Sequence, residues 1–173
     1  MFALAGDPVF TKSGELLRPQ DFREWIFLSA GVGMNYSADH ANPSEEAPLF
    51  DNVFVNPEAY RVFKATGHWP EHTIFVIDER KSVNKGSINR GGRYQGEPVA
   101  VEVEVKDTKR FPDGWGYFSF SPAAQTAKRI GPEGGCNECH GKNAAVEHTF
   151  VQFYPTLLDI AKAKGTLREG AQH

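Results

Sequence analysis

Five consecutive residues of this chain have types and a spacing that could do chemistry together: Cys136, Asn137, Glu138, Cys139 and His140. They form a Cys-x-x-Cys-His sequence, which is the attachment pattern of haem c. Two thiols at this spacing can each bond one vinyl group on the same edge of a porphyrin, and the adjacent imidazole can then face the iron. The sequence therefore predicts one covalently held haem c, with Cys136 and Cys139 as attachment points and His140 as iron ligand.

Three other uses of these cysteines, the only two in the chain, stay open at this stage. A disulfide across the two-residue spacer would be strained and would leave the histidine unexplained. A thioredoxin-like redox pair would need a βαβ setting, which the sequence pattern lacks. A zinc site would need a further ligand, for which the candidate donors are His40, His68, His72 and His148.

Length and composition limit what can surround this motif. The chain has 173 residues, 40% of them hydrophobic, which is enough for the core of one domain. A net charge of −3 without a basic cluster argues against a nucleic-acid partner. No apolar run approaches the ~20 residues of a membrane-spanning helix. We expect an N-terminal segment over residues 1–18, a single haem-binding domain over 19–165 and a tail over 166–173.

The elements that must position the motif are mostly strands. Residues 73–77 are almost all β-branched or aromatic, which predicts a strand buried on both faces. Residues 99–105 alternate strictly, which predicts that Glu102 and Glu104 face water. Further strands are predicted at 25–28, 52–55, 115–120 and 149–154. The polar segment 37–48 predicts a surface loop, the glycine-rich segment 82–98 predicts a long loop or a hairpin with a mobile tip, and residues 131–143 are also rich in glycine.

Two helices have clear boundaries. Asn56 and Pro57 are typical of a helix start, and Gly67 is typical of its end. A second helix is predicted from about Pro155 to Gly165. Several strands with few helices and no βαβ alternation predict an α+β fold with a mainly antiparallel sheet and the haem motif near the C-terminus.

Several short segments follow one another in a distinctive order: Asn-Pro-Glu-Ala-Tyr at 56–60, Gly-His-Trp-Pro at 67–70, Thr-Ile-Phe-Val at 73–76, Cys-x-x-Cys-His at 136–140 and Glu-His-Thr-Phe-Val-Gln-Phe-Tyr-Pro at 147–155. This order resembles the cytochrome P-460 family. The similarity extends from about Phe22 to Leu158, and it does not depend on the haem motif alone.

This resemblance implies a mostly β fold, a homodimer and one haem c that His140 ligates, with the opposite haem face open to small molecules. Members close to cytochrome P-460 itself oxidise hydroxylamine, pass electrons to a redox partner protein and carry a lysine bonded to the haem. Members close to cytochrome c-prime-beta lack that bond and bind nitric oxide or carbon monoxide. The resemblance thus implies either a hydroxylamine or nitric-oxide oxidoreductase or a non-enzymatic gas-binding protein.

The position of the cross-linking lysine separates these branches. In the cross-linking members that lysine lies on the strand after the Gly-x-x-Pro turn, where this chain has Ile77, and the nearest lysine, Lys81, follows four residues later. Lys81 could reach the haem edge only if the strand continued past Arg80 or the register were shifted. Phe75, on the same strand, is predicted to line the haem pocket together with Ile77.

Two further roles depend on residues outside the motif. Glu147 is the candidate base for the protons that hydroxylamine oxidation releases, although it could equally cap or pair with the start of a strand. Met34 or His148 could supply a sixth iron ligand, which would close the site and make the protein a simple electron carrier.

Export is also expected. Thioether attachment of haem takes place in an oxidising compartment outside the cytoplasm, which predicts a periplasmic protein. Residues 3–5, Ala-Leu-Ala, followed by Gly6, resemble the end of a signal peptide, but the charged and apolar regions that precede such a site are missing from this sequence.

Overall fold

The computed structural model describes residues 6–34 and 47–170. The signal-like residues 3–5, the candidate donor His40 and most of the segment 37–48 lie outside these ranges. Within the described ranges, no helix has the length and apolar character needed to cross a membrane.

The described residues form a mainly antiparallel α+β structure, as predicted. The strands are β1 (Leu16–Leu17), β2 (Ile26–Val32), β3 (Leu49–Val55), β4 (Ile74–Val83), β5 (Tyr94–Lys106), β6 (Trp115–Phe120) and β7 (Thr126–Ala127). The α-helices are α1 (Pro57–Thr66), α2 (Cys136–Asn143) and α3 (Pro155–Lys164), and 3-10 turns cover Phe22–Glu24, Pro132–Gly134 and Val151–Phe153.

Five strands build the main sheet in the order β2-β3-β4-β5-β6, each antiparallel to the next, and β1 pairs with β7 separately. β4 and β5 form an antiparallel hairpin, which is one of the two forms predicted for 82–98, and residues 84–93 connect the two strands. The strand predicted over 149–154 is wrong, because a 3-10 turn lies there. A helix over the Cys-x-x-Cys-His motif was not predicted from the sequence.

The boundaries of α1 and α3 are as predicted. Pro57 and Pro155 occupy the first helical positions, where the missing N–H costs nothing. Gly67 and Gly165 end the helices in the left-handed conformation, with φ of 80° and 69°. Asn56 stands at the N-cap of α1, but its side chain instead accepts a hydrogen bond from the backbone N–H of Ile74 at 2.9 Å and so joins the helix start to β4.

The sheet has a core on each face, which is why its central strand β4 is apolar on both sides. One face packs against α1, α3 and the segment 145–154, and the other packs against the N-terminal segment and residues around Phe111. Val101, Val103 and Val105 belong to the second core. Glu102 and Glu104 therefore point to the helical layer, and the prediction that they face water is wrong.

Both terminal segments contact the main body within the described residues. Leu16 is fully buried in the second core and pairs with Ala127 of β7. At the other end, Arg168 donates to the carbonyl of Gly141 at 3.0 Å and also contacts the carbonyl of Lys142, so a cation lies at the C-terminal end of α2.

Candidate functional site

The Cys-x-x-Cys-His motif is presented by α2, a short helix that begins after a tight turn. Gly135 precedes the helix in the left-handed conformation with φ of 69°, which a side chain would disfavour. A Cβ on Gly134 would lie 2.3 Å from Cγ2 of Ile130, so this turn also needs glycine for close packing. As a result, Cys136, Cys139 and His140 all face the sheet, and both thiols are free and half-buried.

A cavity of about 310 Å³ separates α2 from the sheet. It adjoins a second cavity of about 620 Å³, with which it shares four lining residues, and volumes of this order are typical of cofactor sites. The walls of the first cavity are mostly apolar. They comprise Val53, Phe75, Ile77, Glu102, Val103, Glu104, Tyr117, Gly134, Gly135, Cys136, Cys139, His140, Phe150 and Tyr154.

The imidazole of His140 is held on several sides. Its Nδ1 donates to the carbonyl oxygen of His148 at 2.8 Å and lies 2.5 Å from Oε1 of Glu104. The rings of Tyr117 and Phe150 lie 4.8 and 4.7 Å from the imidazole, centroid to centroid. Burial alone lowers the pKa of His140, but the Glu104 carboxylate and the His148 carbonyl outweigh it, so that the pKa is raised. With Nδ1 engaged in this way, Nε2 is the nitrogen left for a metal.

Two polar atoms of the cavity are buried and, within the described residues, lack a well-directed hydrogen bond: Oε1 of Glu104 and the hydroxyl of Tyr117. The N–H of His140 is directed at the His148 carbonyl rather than at Glu104, despite the short contact. Burial and the Glu104 carboxylate raise the pKa of Tyr117, so its hydroxyl stays protonated at neutral pH. Unsatisfied buried groups of this kind are costly in an empty protein and indicate that another group completes the site.

Glu147 does not line either cavity that the motif adjoins. Its carboxylate accepts from Nζ of Lys106 at 2.7 Å and contacts Nδ1 of His68 at 2.6 Å. Lys106 also donates to the carbonyl of Trp69 at 2.7 Å. The structure thus gives Glu147 the pairing role that the sequence left open, and the carboxylates of the cavity come from Glu102 and Glu104 instead.

The other candidate residues are distributed over the two cavities. Phe75 lines the first cavity, as predicted from the sequence, and Ile77 lines both. Lys81 is exposed and lines only the larger cavity. Because β4 continues past Arg80, Lys81 lies on the same face of the strand as Ile77. Met34 lines the larger cavity too.

Where they are described, the histidines named as zinc donors do not line the cavity that contains the thiols. His68 pairs with Glu147, and His72 contacts Asp7 at 3.3 Å. His148 contributes its backbone carbonyl to His140, and burial lowers the pKa of its own side chain. Within the described ranges, no three side chains of His, Cys, Asp or Glu are grouped as metal ligands.

Comparison with protein families gives one match. A family model described as cytochrome P460 matches residues 19–151, which is more than half of the chain. The chain belongs to the cytochrome P460 family. This match confirms the resemblance found in the sequence. The matched region ends at residue 151, just after His148 and Phe150, which contact His140. A comparison with curated proteins found no match.

Membership of the cytochrome P460 family makes this chain a c-type cytochrome and a haem protein. The residues present fit a haem. The cavity is apolar, both thiols are free, and an imidazole with one engaged nitrogen is fixed at its wall. The buried unsatisfied oxygens of Glu104 and Tyr117 also indicate that this cytochrome P460 cavity is built for an additional group.

Sequence reasoning missed Glu102, Glu104 and Tyr117 as cavity residues. The alternation in β5 did show that the two glutamates share one face. It could not show that this face is covered, because the covering layer comes from residues 130–161, far along the chain.

Proposed function

We propose that this cytochrome P460 family member is an exported protein with a single haem c, held through thioethers by Cys136 and Cys139 and ligated by His140. The observation that carries the proposal is the one cavity that contains both thiols and the fixed imidazole between apolar walls. One motif in the sequence supports one haem. Periplasmic location is proposed because thioether formation needs an oxidising compartment.

Mass spectrometry of the denatured, haem-loaded protein tests the attachment. We expect the mass of the chain plus one haem, and a haem-bearing peptide that contains both cysteines. Cys136→Ala and Cys139→Ala should each leave a single thioether, and the double variant should lose covalent haem altogether. Protein that stays colourless in a host able to load haem c would contradict the proposal.

The bound haem would supply a redox-active iron that can take a small molecule as ligand. The chain would contribute an apolar wall to which Phe75 and Ile77 belong, and such a wall excludes water from the cavity. Among the described residues, no methionine, lysine or second histidine lines the cavity with the thiols. Binding of a neutral diatomic gas, nitric oxide or carbon monoxide, is the function that this geometry supports best.

The optical spectrum of the reduced protein, with and without carbon monoxide, tests gas binding. We expect a five-coordinate ferrous haem whose absorption shifts when carbon monoxide is added. A low-spin, six-coordinate spectrum that ignores carbon monoxide would instead support an electron carrier. Ile77 at the cross-link position also predicts that no lysine-containing peptide is bonded to the porphyrin, which the same mass spectrometry checks.

Oxidation of hydroxylamine is the second candidate, and the two cavity carboxylates favour it. The reaction releases protons and electrons, so it needs a proton acceptor at the site and a redox partner protein as electron acceptor. Glu102 lines the cavity and could accept protons there. Turnover by the loaded protein with an added oxidant should exceed that of free haem and fall in Glu102→Gln, but not in Glu97→Gln, an exposed position on the same strand. Turnover equal to that of free haem would exclude this candidate.

Assembly as a homodimer is proposed from the family resemblance. Sedimentation of the loaded protein should give twice the mass of the 173-residue chain.

A further inference from the structure

We propose that Glu104 is a positioning residue for the iron ligand: its carboxylate, held against Nδ1 of His140, strengthens the donation of the imidazole and favours ferric over ferrous iron. The inference rests on the proposed function, in which His140 ligates iron. It concerns a residue on β5, well away in sequence from the motif.

The geometry around Nδ1 carries the inference. Oε1 of Glu104 lies 2.5 Å from this nitrogen, and the carbonyl oxygen of His148 lies 2.8 Å from it. The N–H on Nδ1 is directed at the carbonyl, and the carboxylate lies beside the same nitrogen within hydrogen-bonding distance. An acceptor on the second nitrogen of a metal-bound histidine fixes the ring and raises its basicity, and a charged acceptor does so more strongly than a carbonyl.

The sheet, not a loop, fixes the carboxylate in this place. Glu104 lies near the C-terminal end of β5, between β4 and β6, directly opposite Phe75 and Tyr117. Its side chain is only 12% exposed, so it cannot turn out to solvent without leaving the cavity. The negative charge therefore acts on the imidazole through a largely water-free space, where electrostatic effects are strong.

The unsatisfied oxygen of Glu104 supports the same conclusion. A buried carboxylate oxygen without a well-directed hydrogen bond is unfavourable unless positive charge lies nearby. An imidazole whose other nitrogen donates to ferric iron carries more positive charge on its N–H than a neutral imidazole does. Ligation would thus give this carboxylate the partner that it lacks.

Glu102 offers a matched control. It is the same residue type on the same face of the same strand, and it lines the same cavity. Its Oε1 accepts from the hydroxyl of Ser119 at 2.7 Å, and its cross-strand neighbour on β4 is Ile77. Glu102→Gln therefore removes one negative charge from the cavity without touching the acceptor at His140.

The experiment uses full-length, haem-loaded protein with Glu104→Gln and Glu102→Gln. Resonance Raman spectroscopy of the reduced protein gives the iron–histidine stretching frequency, and redox titration gives the reduction potential. We expect Glu104→Gln to lower the frequency and to raise the potential. Glu102→Gln should leave the frequency unchanged and raise the potential less.

The outcomes separate this inference from the proposed function. If the reduced wild-type protein is five-coordinate by its optical spectrum and still shows no iron–histidine band, His140 is not the ligand, and the proposed function fails with it. A wild-type band with equal frequencies in the two variants would overturn the inference alone. If Glu104→Gln does not load haem, Glu104→Asp serves in its place, because it withdraws the carboxylate by one methylene. This variant should lower the iron–histidine frequency by a smaller amount. A frequency equal to that of the wild type in Glu104→Asp would also overturn the inference.

Discussion

At the residue scale, Glu147 shows how a site residue can act by holding backbone in place. It and His148 both adopt positive φ, 44° and 66°, in the turn that supplies the carbonyl to His140. Such a conformation is unfavourable for non-glycine residues and needs support from its surroundings. The paired Lys106, whose side chain is 16% exposed, gives that support.

Glu147→Gln should therefore lower stability rather than remove a catalytic base. The variant weakens a half-buried charged hydrogen bond, for which we expect a loss of about 1–2 kcal/mol in the free energy of unfolding by urea. Carbon monoxide binding and any turnover by the loaded protein should remain. A large loss of turnover at unchanged stability would restore the role of base.

Glu79 provides a test of pH dependence. Burial first, and then the charges of Glu102 and Asp51, raise the pKa of Glu79 above its ordinary value of 4.5. The folded state therefore binds this proton more tightly than the unfolded state, and the group lowers stability as pH rises from 4.5 through the raised folded value.

Glu79→Gln should consequently be more stable than wild type at neutral pH. The difference should vanish as the pH falls below 4.5, because both states of the wild type are then protonated. Urea unfolding at a series of pH values measures it. Glu97→Gln, an exposed position on β5, should show no such gain, and an equal gain there would contradict the explanation by burial.

At the scale of elements, the glycines that end α1 and α3 test how the helical layer packs. Both have left-handed φ, so an alanine at either position is strained by about 1–2 kcal/mol. A Cβ on Gly67 would in addition lie 2.7 Å from Cβ of Lys164, whereas a Cβ on Gly165 would meet no atom within 4 Å.

Gly67→Ala should therefore destabilise the protein more than Gly165→Ala, by a further ~1 kcal/mol or more for overpacking. Chemical denaturation of both variants gives the comparison. Equal losses would mean that α1 and α3 adjust their separation at no cost.

At the scale of the whole molecule, the two faces of the sheet should respond differently to haem. The cavity of about 310 Å³ lies on the helical face, and among the described residues the second core on the opposite face contributes only Val103 to it. Loss of the haem removes packing from the helical face alone, and local opening follows local packing.

The double variant Cys136→Ala and Cys139→Ala, purified without haem, should therefore exchange amide hydrogens faster in α2 and in Val151–Phe153 than the loaded protein does. Amides of β1 and β7, which pack on the other face, should exchange at similar rates in both. Hydrogen exchange read by mass spectrometry distinguishes this pattern from a uniform increase, which would mean that the two cores open together.

The amino-acid sequence by itself determined the chemistry of the site and the local boundaries. The Cys-x-x-Cys-His motif indicates the class of cofactor, and the prolines and glycines at 57, 67, 155 and 165 indicate where two helices begin and end. Both signals can be recognised in the sequence because each acts over only a few residues. The sequence also identified the apolar strand at 73–77, because a run of β-branched and aromatic residues favours a strand wherever it packs.

Only the tertiary structure decided which groups meet in the cavity. A period of two divides β5 into two faces, but it cannot say which of them a distant layer covers, so Glu102 and Glu104 were expected in water and lie in the cavity instead. Contacts such as Glu104 with His140 or Lys106 with Glu147 join residues tens of positions apart. They exist because the sheet register and the packing of the helical layer bring these residues together, and neither is encoded in any one stretch of the chain.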